Sequence, residues 1–212
     1  MIDNLTFEAK KREYIDLLKS TNRQNIDAVI NWLENSTDFF VAPSSTAFHG
    51  NFKHGLLCHS LNVYYTALRI KQSLIEETNL HNIPNDNLKY ISDDSIIIAA
   101  LLHDICKCNF YTEEIKWKKD ADNKWQSYMG YSINDQFPFG HGEKSVLYLQ
   151  MLNLKMNVDE MLAIRWHMGT WDGGMLQNEA KFAAAEAENK YSLCTIIQCA
   201  DKLASMCLEI KI

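Results

Sequence analysis

The sequence lacks the features that mark membrane-spanning, secreted and disordered proteins. It has no run of about 18 apolar residues, the length that a transmembrane helix needs. The first twenty residues mix acidic and basic side chains with apolar ones, which is not typical of a signal peptide. There is no low-complexity stretch and no long block of like charge. We therefore expect a folded protein of the cytoplasm without a membrane partner.

Cysteines are few, and their spacing does not match a disulfide framework. Cys106 and Cys108 form the only close pair, and a metal knuckle there would need partners at comparable spacing, which the sequence lacks. We therefore interpret all six cysteines as reduced thiols that pack in the core. They are Cys58, Cys106, Cys108, Cys194, Cys199 and Cys207.

Basic residues are outnumbered, with 21 Lys and Arg against 27 Asp and Glu, which gives a net charge of −6. Such a chain has no overall attraction for nucleic acid, so we expect no duplex DNA or RNA partner. Prolines are also rare, and Pro43, Pro84 and Pro138 fall where the apolar periodicity breaks. A length of 212 residues predicts a single domain covering residues 1–212.

Apolar periodicity predicts a mostly α-helical fold. The segment SIIIAALLHDICK is apolar on nearly all sides and predicts a buried helix. Alternating aromatic and polar residues around an Asp-Ala-Asp-Asn turn predict a short β-hairpin near 115–130. Residues 177 to 190 are polar, and we assign no helix to them. The predicted helices cover residues 6–20, 25–35, 53–75, 95–107, 141–153 and 159–167, with a last one from Ser192.

Two carboxylates fall on apolar helical segments. Asp104 follows His103 at the end of the buried helix, and Asp201 lies one turn from both Ile197 and Ala204 in the last helix. Burying an ionised carboxylate costs several kcal/mol unless a cation or strong donors meet it. Both aspartates therefore need partners, and a metal ion is one such partner.

Four histidines lie at or near predicted helices and far apart in sequence: His59, His103, His141 and His167. This distribution is typical of a metal site assembled from several helices of a bundle. Each residue also has an ordinary structural explanation, such as a core histidine bonded to a carbonyl, an ion pair or a helix-end residue. Together with the two aspartates, these histidines would need five separate explanations. One shared site requires fewer coincidences, and we prefer it.

The same residues, in this order, resemble the HD-domain superfamily of metal-dependent phosphohydrolases. The similar segments are HGLLCHSLNV at 54–63, AALLHDICK at 99–107, GHGEKS at 140–145, AIRWHMG at 163–169 and IIQCADKLAS at 196–205. The resemblance implies an HD-type helical bundle with its core at about 53–208 and additional N-terminal helices within residues 1–35. Cys106 stands where the family often has glycine.

The resemblance further implies two metal ions. His59, His103, Asp104 and Asp201 would surround one ion, while His141 and His167 would hold the second and Asp104 would bridge both. Histidine-rich sites favour Fe, Mn, Co, Ni or Zn over Mg or Ca. Two such ions can hold a bridging hydroxide and stabilise both oxygens of a phosphoryl displacement. The expected reaction is hydrolysis of a phosphate mono- or diester.

The substrate is expected to be a small phosphorylated molecule, with a nucleotide favoured because aromatic residues flank His141 and His167 in sequence. Lys107 matches the lysine that often follows the family's His-Asp pair and would neutralise a substrate phosphate, although a solvated lysine at a helix end is equally consistent. Lys144, Arg165 and Trp166 are further candidates for substrate contacts.

Two other functions fit the same ligand set. Some members of the superfamily use four histidines and two aspartates for a di-iron oxygenase, which oxygen consumption would reveal. A noncatalytic module that binds a nucleotide would hold its ligand without turnover. We prefer hydrolysis because it is the commonest activity of the family that the chain resembles.

Overall fold

The computed structural model describes residues 3–82, 88, 90–169 and 178–209. Within these residues the chain forms eight α-helices and one two-stranded antiparallel sheet. The elements in chain order are α1 (Asn4–Ser20), α2 (Ile26–Asn35), α3 (Gly55–Leu80), α4 (Asp93–Leu102), β1 (Tyr111–Lys119), β2 (Trp125–Ile133), α5 (His141–Met151), α6 (Val158–Trp166), α7 (Asn178–Lys190) and α8 (Ser192–Leu203).

This architecture confirms the predicted mostly α-helical class and the hairpin. The predicted absence of a helix at 177–190 is wrong, because α7 occupies nearly all of that segment. Its composition is rich in Ala, Glu and Lys, which favour helix. Only Ala184 and Ala187 are buried, so the sequence has no apolar stripe from which this helix could be predicted. The glycine-rich loop predicted at 169–174 lies almost wholly outside the described residues.

Helix α4 forms the centre of the fold. Ser92 caps its N-terminus by accepting a hydrogen bond from the backbone N–H of Ser95, and the residues from Ser95 to Leu102 are all buried. The helix packs against α3 on one side and α6 on another, and α8 packs against both of those helices. A 3-10 turn at Ile105–Lys107 follows α4 directly. The end of α4 therefore opens into the space between α3, α6 and α8.

The N-terminal helices pack on the same core. Tyr14 on α1 is fully buried, and its hydroxyl donates a 2.8 Å hydrogen bond to the backbone oxygen of Leu101. Apolar residues of α1 and α2 belong to one buried cluster with those of α3, α4, α6 and α8. The division into a core of about 53–208 and N-terminal helices stays a prediction.

A buried ion pair connects three parts of the chain. The Arg23 guanidinium, in the turn between α1 and α2, donates to both carboxylate oxygens of Glu160 at 2.7 and 3.2 Å. Glu160 is fully buried at the start of α6 and also accepts a 2.9 Å hydrogen bond from the Ser95 hydroxyl of α4. Glu160 therefore joins α6 both to the turn between α1 and α2 and to α4, at the end of α6 remote from His167.

The hairpin formed by β1 and β2 projects from the helices. Its strands pair from Tyr111 opposite Ile133 to Lys119 opposite Trp125. Most of its large apolar side chains are exposed, including those of Trp117 and Trp125. None of the helices in the described ranges is long and apolar enough to cross a membrane.

Candidate metal centre

Asp104 lies at the centre of a buried cluster of four histidines. It follows α4 at the start of the 3-10 turn, and its side chain is only 2% exposed. Its Oδ1 lies 2.9 Å from Nε2 of His141 and 3.4 Å from Nε2 of His167. Its Oδ2 lies 3.4 Å from Nε2 of His59 and 3.4 Å from Nε2 of His103. The two oxygens of one carboxylate thus face two different pairs of histidines.

The second aspartate joins the cluster from α8. Oδ1 of Asp201 lies 3.2 Å from Nε2 of His59, which is itself 3.2 Å from Nε2 of His103. His59 comes from α3, His103 directly follows α4, and Asp201 lies near the end of α8. All six predicted ligands are therefore brought together from five separate segments of the chain, while their assignment as metal ligands stays a prediction.

Backbone carbonyls fix the orientation of two of the rings. Nδ1 of His103 lies 2.8 Å from the oxygen of Ala100, and Nδ1 of His167 lies 2.7 Å from the oxygen of Ile164. A carbonyl oxygen only accepts, so each Nδ1 carries the proton and a neutral ring presents its Nε2 lone pair to the centre. Nε2 of His167 is buried and has no hydrogen-bond partner. Such an atom is costly to bury unless a cation meets it.

The donor atoms are spaced as the ligands of an ion would be. Two ligands about 2.1 Å from an ion, at angles of about 90 to 110°, lie roughly 3.0 to 3.4 Å apart. The separations of 3.2 Å between Asp201 and His59 and of 3.4 Å between Asp104 and His167 fall in this range, and that of 2.9 Å between Asp104 and His141 lies just below it. Imidazole and carboxylate together suit a divalent transition metal. The residues present therefore fit the metal ions that the sequence predicted.

The grouping of ligand atoms differs from the predicted pair of sites. Four sets of residues each place one ligand atom apiece within 4.8 Å of the others: His49, His59 and Glu209; His59, His103 and Asp201; His103, Asp104 and His167; and Asp104, Cys106 and His141. Among the described residues, His141 and His167 do not share such a set. His141 is instead grouped with a cysteine that the sequence interpretation left in the core.

Cys106 is buried beside the imidazole of His141. Its Sγ lies 3.5 Å from both ring nitrogens of His141, and burial raises the pKa of the thiol to about 12. The backbone N–H of Cys106 donates to the Ser145 hydroxyl at 3.1 Å, which ties the 3-10 turn to α5.

The charged groups of the cluster hold one another in their ionised forms. Burial lowers the pKa of His59, but hydrogen bonds to Asp201 and Glu209 outweigh burial and raise the pKa to about 10. Burial raises the pKa of Asp104, yet Lys107 and the surrounding histidines lower it well below its usual value. Metal ligation requires these two groups as a neutral imidazole and a carboxylate, so an ion would displace the proton from His59.

Glu209 is a functional residue that the sequence interpretation missed. Its Oε1 lies 2.8 Å from Nδ1 of His59 and also accepts a hydrogen bond from the Asn62 side chain. A carboxylate on the outer nitrogen of a ligating histidine fixes the ring and raises its basicity. Glu209 follows the π-helical turn Ala204–Leu208 that extends α8, outside any apolar periodicity, so no sequence pattern singled it out.

A close approach of two helices brings His141 to the cluster. A Cβ added at Gly142 would lie 2.1 Å from the backbone oxygen of Arg165, so only glycine lets the start of α5 pack against the end of α6. His141 is the first residue of α5, and His167 directly follows α6. The glycine therefore sets the spacing between these two histidines.

A cavity of about 760 Å³ opens onto the cluster. Its lining includes five charged or ionisable residues at or beside the cluster: Asp104, Lys107, His141, His167 and Asp201. The rest of its lining combines hydroxyl and amide side chains with apolar ones: Ser44, Ser45, Thr46, Phe48, His49, Tyr111, Ile133, Met168, Gly169, Gln198, Cys199, Lys202, Ser205 and Met206.

Lys107 lines the cavity, whereas three other candidate substrate contacts do not within the described chain. The Lys107 ammonium lies 2.6 Å from Oδ2 of Asp104. Lys144 is buried in an ion pair with Asp135 at 2.7 Å. Arg165 pairs with Glu143 and stacks 3.7 Å from the centre of the Trp166 ring. Lys144, Arg165 and Trp166 do not line the cavity within the described chain, and the contacts above give them a structural role, so their contact with substrate stays a prediction.

His49 is a second cavity residue that the sequence interpretation did not select. It lies in the loop before α3, and its ring centre is 4.9 Å from that of His59. Its Nε2 is buried without a hydrogen-bond partner, and burial lowers the pKa of the ring to about 4. The loop closes tightly because Gly50 has a positive φ of 58°. Nothing in the sequence around His49 distinguishes it from an ordinary loop histidine.

Comparison with known proteins identifies one relationship. A family model described as HD domain matches residues 56–206, which include all six clustered histidines and aspartates. No curated protein and no solved structure matches the chain.

Proposed function

Because this chain belongs to the HD-domain family, whose members are generally metal-dependent hydrolases, we propose that it hydrolyses the phosphate ester of a nucleotide. HD domains bind divalent metals, and the buried cluster of histidines and aspartates is where they would bind here. We further propose that two transition metal ions bind, one on each side of Asp104.

The division of the Asp104 carboxylate carries this proposal. One oxygen faces His141 and His167, and the other faces His59 and His103. A single ion would need only one of these sets, so the second set would leave buried nitrogen atoms without a cation. When bound, two such ions supply a nucleophile at neutral pH and neutralise charge on both oxygens of a phosphoryl displacement.

The residues of the chain would position the substrate and exclude water. Lys107 lines the cavity next to Asp104, where its ammonium would meet a phosphate oxygen as a point charge. His49 would offer its unpaired nitrogen to a second substrate oxygen. The histidine rings held by the carbonyls of Ala100 and Ile164 keep the site rigid before substrate binds.

The cavity supports a nucleotide rather than a bare phosphate. Its volume of about 760 Å³ lies within the range of small-molecule sites. Phe48 and Tyr111 offer aromatic surface, while hydroxyls such as those of Ser45 and Thr46 would contact a sugar. A lining that combines apolar and charged side chains matches a molecule that carries both a base and a phosphate.

The test is a screen of phosphate esters with purified protein loaded in turn with Mn, Fe, Co, Ni or Zn. We expect turnover of nucleoside monophosphates or small diesters with at least one metal. Asp104→Ala should lose bound metal and reduce turnover by more than about 100-fold. Asp159→Ala is the matched control, because Asp159 lies in the first turn of α6 outside the cluster.

The same assay separates the alternatives. Oxygen consumption by the iron-loaded protein, without ester cleavage, would favour an oxygenase. Tight nucleotide binding without turnover under any metal would favour a noncatalytic module. Full activity of Asp104→Ala would refute the two-ion arrangement.

A further inference from the structure

The thiol of Cys106 lies beside the buried cluster of histidines and aspartates. Its Sγ, one oxygen of Asp104 and one ring nitrogen of His141 all lie within 4.8 Å of one another. The residue is 1% exposed and lies in the 3-10 turn two positions after Asp104. Sequence periodicity predicted only core packing for it, and the structure does give that environment to Cys108, which belongs to the apolar core.

The contact with His141 has the spacing of two ligands of one ion rather than that of a directed hydrogen bond. Sγ lies 3.5 Å from Nδ1 and 3.5 Å from Nε2, so it points along the lone pair of neither nitrogen. A nitrogen ligand at about 2.1 Å and a sulfur ligand at about 2.3 Å, about 105° apart, would lie roughly 3.5 Å from each other. The distance between Sγ and Nε2 equals this value.

A second observation shows that this side of Asp104 needs a cation. Nε2 of His167 is buried, lies 3.4 Å from Oδ1 of Asp104 and has no hydrogen-bond partner. The same oxygen lies 2.9 Å from Nε2 of His141. Oδ1 of Asp104 is therefore surrounded by nitrogen atoms that only an ion or a proton can satisfy together.

We propose that Cys106 is a thiolate ligand of the ion held by Asp104 and His141, and that it makes this position selective for Zn²⁺ over Mn²⁺ and Mg²⁺. The inference rests on the metal binding of the proposed function and goes beyond it by assigning a sulfur ligand. Thiolate is a soft ligand that suits Zn²⁺ and Co²⁺, whereas Mn²⁺ and Mg²⁺ prefer oxygen. Coordination deprotonates the thiol, and the proton leaves to solvent.

X-ray absorption at the zinc edge tests the assignment on the unmodified full chain. With two equivalents of Zn²⁺ bound, we expect one sulfur scatterer at about 2.3 Å among nitrogen and oxygen scatterers. With Co²⁺ in place of Zn²⁺, a thiolate-to-metal charge-transfer band should appear in the near-ultraviolet spectrum. A zinc-loaded or cobalt-loaded protein with neither feature would overturn the proposal.

Two variants identify the cysteine. Cys106→Ser should lose the charge-transfer band and bind its second Zn²⁺ more than about 10-fold more weakly, while its Mn²⁺ affinity stays the same. Cys108→Ser is the matched control, because Cys108 is also buried and only two residues away, and it should keep the band. If Cys106→Ser fails to fold, the zinc-edge spectrum of the unmodified chain decides alone. A band that survives in folded Cys106→Ser would contradict the proposal.

The result is separable from that of the proposed function. A cobalt-loaded protein that cleaves phosphate esters but shows no sulfur ligand would refute the role of Cys106 and leave the hydrolase standing. A sulfur ligand in a protein that cleaves no phosphate ester would support the role of Cys106 and refute the proposed hydrolase.

Discussion

The Nε2 atoms of His59 and His103 lie 3.2 Å apart at the centre of the buried cluster. Nδ1 of His103 donates its proton to the oxygen of Ala100, so Nε2 of a neutral His103 can only accept. A cation must therefore meet these two nitrogens, either as a proton on His59 or as a metal ion. The two cations compete for the same place.

This competition predicts that metal affinity rises with pH. Without a metal ion, hydrogen bonds to Asp201 and Glu209 overcome the effect of burial and raise the pKa of His59 to about 10. Below that pH the ion must displace one proton, so affinity should increase by about 10-fold for each pH unit gained. Titration calorimetry between pH 6.5 and 8.5, in buffers of different ionisation enthalpy, would measure the released proton. A metal affinity that stays the same between pH 6.5 and 8.5 would contradict the prediction.

Glu209 should tune the metal site through His59. Glu209→Gln removes the carboxylate from Nδ1 of His59, and we expect metal affinity to fall about 10- to 100-fold while the fold is retained. Competition with a chelator gives the affinity, and circular dichroism checks the fold. Glu186→Gln is the control, because Glu186 pairs with Lys190 on the surface of α7. Equal affinity in the two variants would remove Glu209 from the site.

Substitutions of Lys107 and Lys144 should distinguish a residue that contacts substrate in the cavity from one that only stabilises the fold. Lys107→Met leaves the buried carboxylate of Asp104 without its ammonium partner. In the presence of a chelator, we expect the free energy of unfolding to fall by about 3 to 5 kcal/mol, and metal should restore part of the loss by neutralising Asp104. Denaturant titration with and without metal measures both values. Turnover should fall by more than about 10-fold, because the substrate phosphate loses a charge.

Lys144→Met is the matched variant for this comparison. It breaks the ion pair with Asp135 away from the cavity. It should lower stability and leave turnover of the folded protein unchanged. A loss of turnover as large as that of Lys107→Met would return Lys144 to the list of substrate contacts.

The ion pair between Arg23 and Glu160 should matter for stability alone. Glu160→Ala leaves the largely buried Arg23 guanidinium without its two carboxylate partners, and we expect a loss of about 3 to 5 kcal/mol in the free energy of unfolding. Glu34→Ala breaks a more exposed pair with Lys11 and should cost less than about 1 kcal/mol. Denaturant titration compares the two variants, and metal content should be the same in both. A metal deficit in folded Glu160→Ala would show coupling between the pair and the site.

The sequence was sufficient where the controlling interaction is local. The apolar run from Ile96 to Leu102 predicts a buried helix because every face of it is apolar, and the structure contains one. The alternating residues around the Asp-Ala-Asp-Asn turn predict the hairpin in the same way. Local composition failed at α7, where good helix formers without an apolar stripe resemble a polar loop.

By itself, the sequence determined which side chains needed a partner. A carboxylate at Asp104 or Asp201 on an apolar helix face cannot remain unpaired, and this holds whatever the helices pack against. Only the tertiary structure decided which residues lie next to these carboxylates. It brought Glu209 and Cys106 to the cluster and directed Lys144 away from it. The reason is physical: neighbours from distant segments depend on how closely helices approach, as at Gly142, and no local pattern encodes that distance.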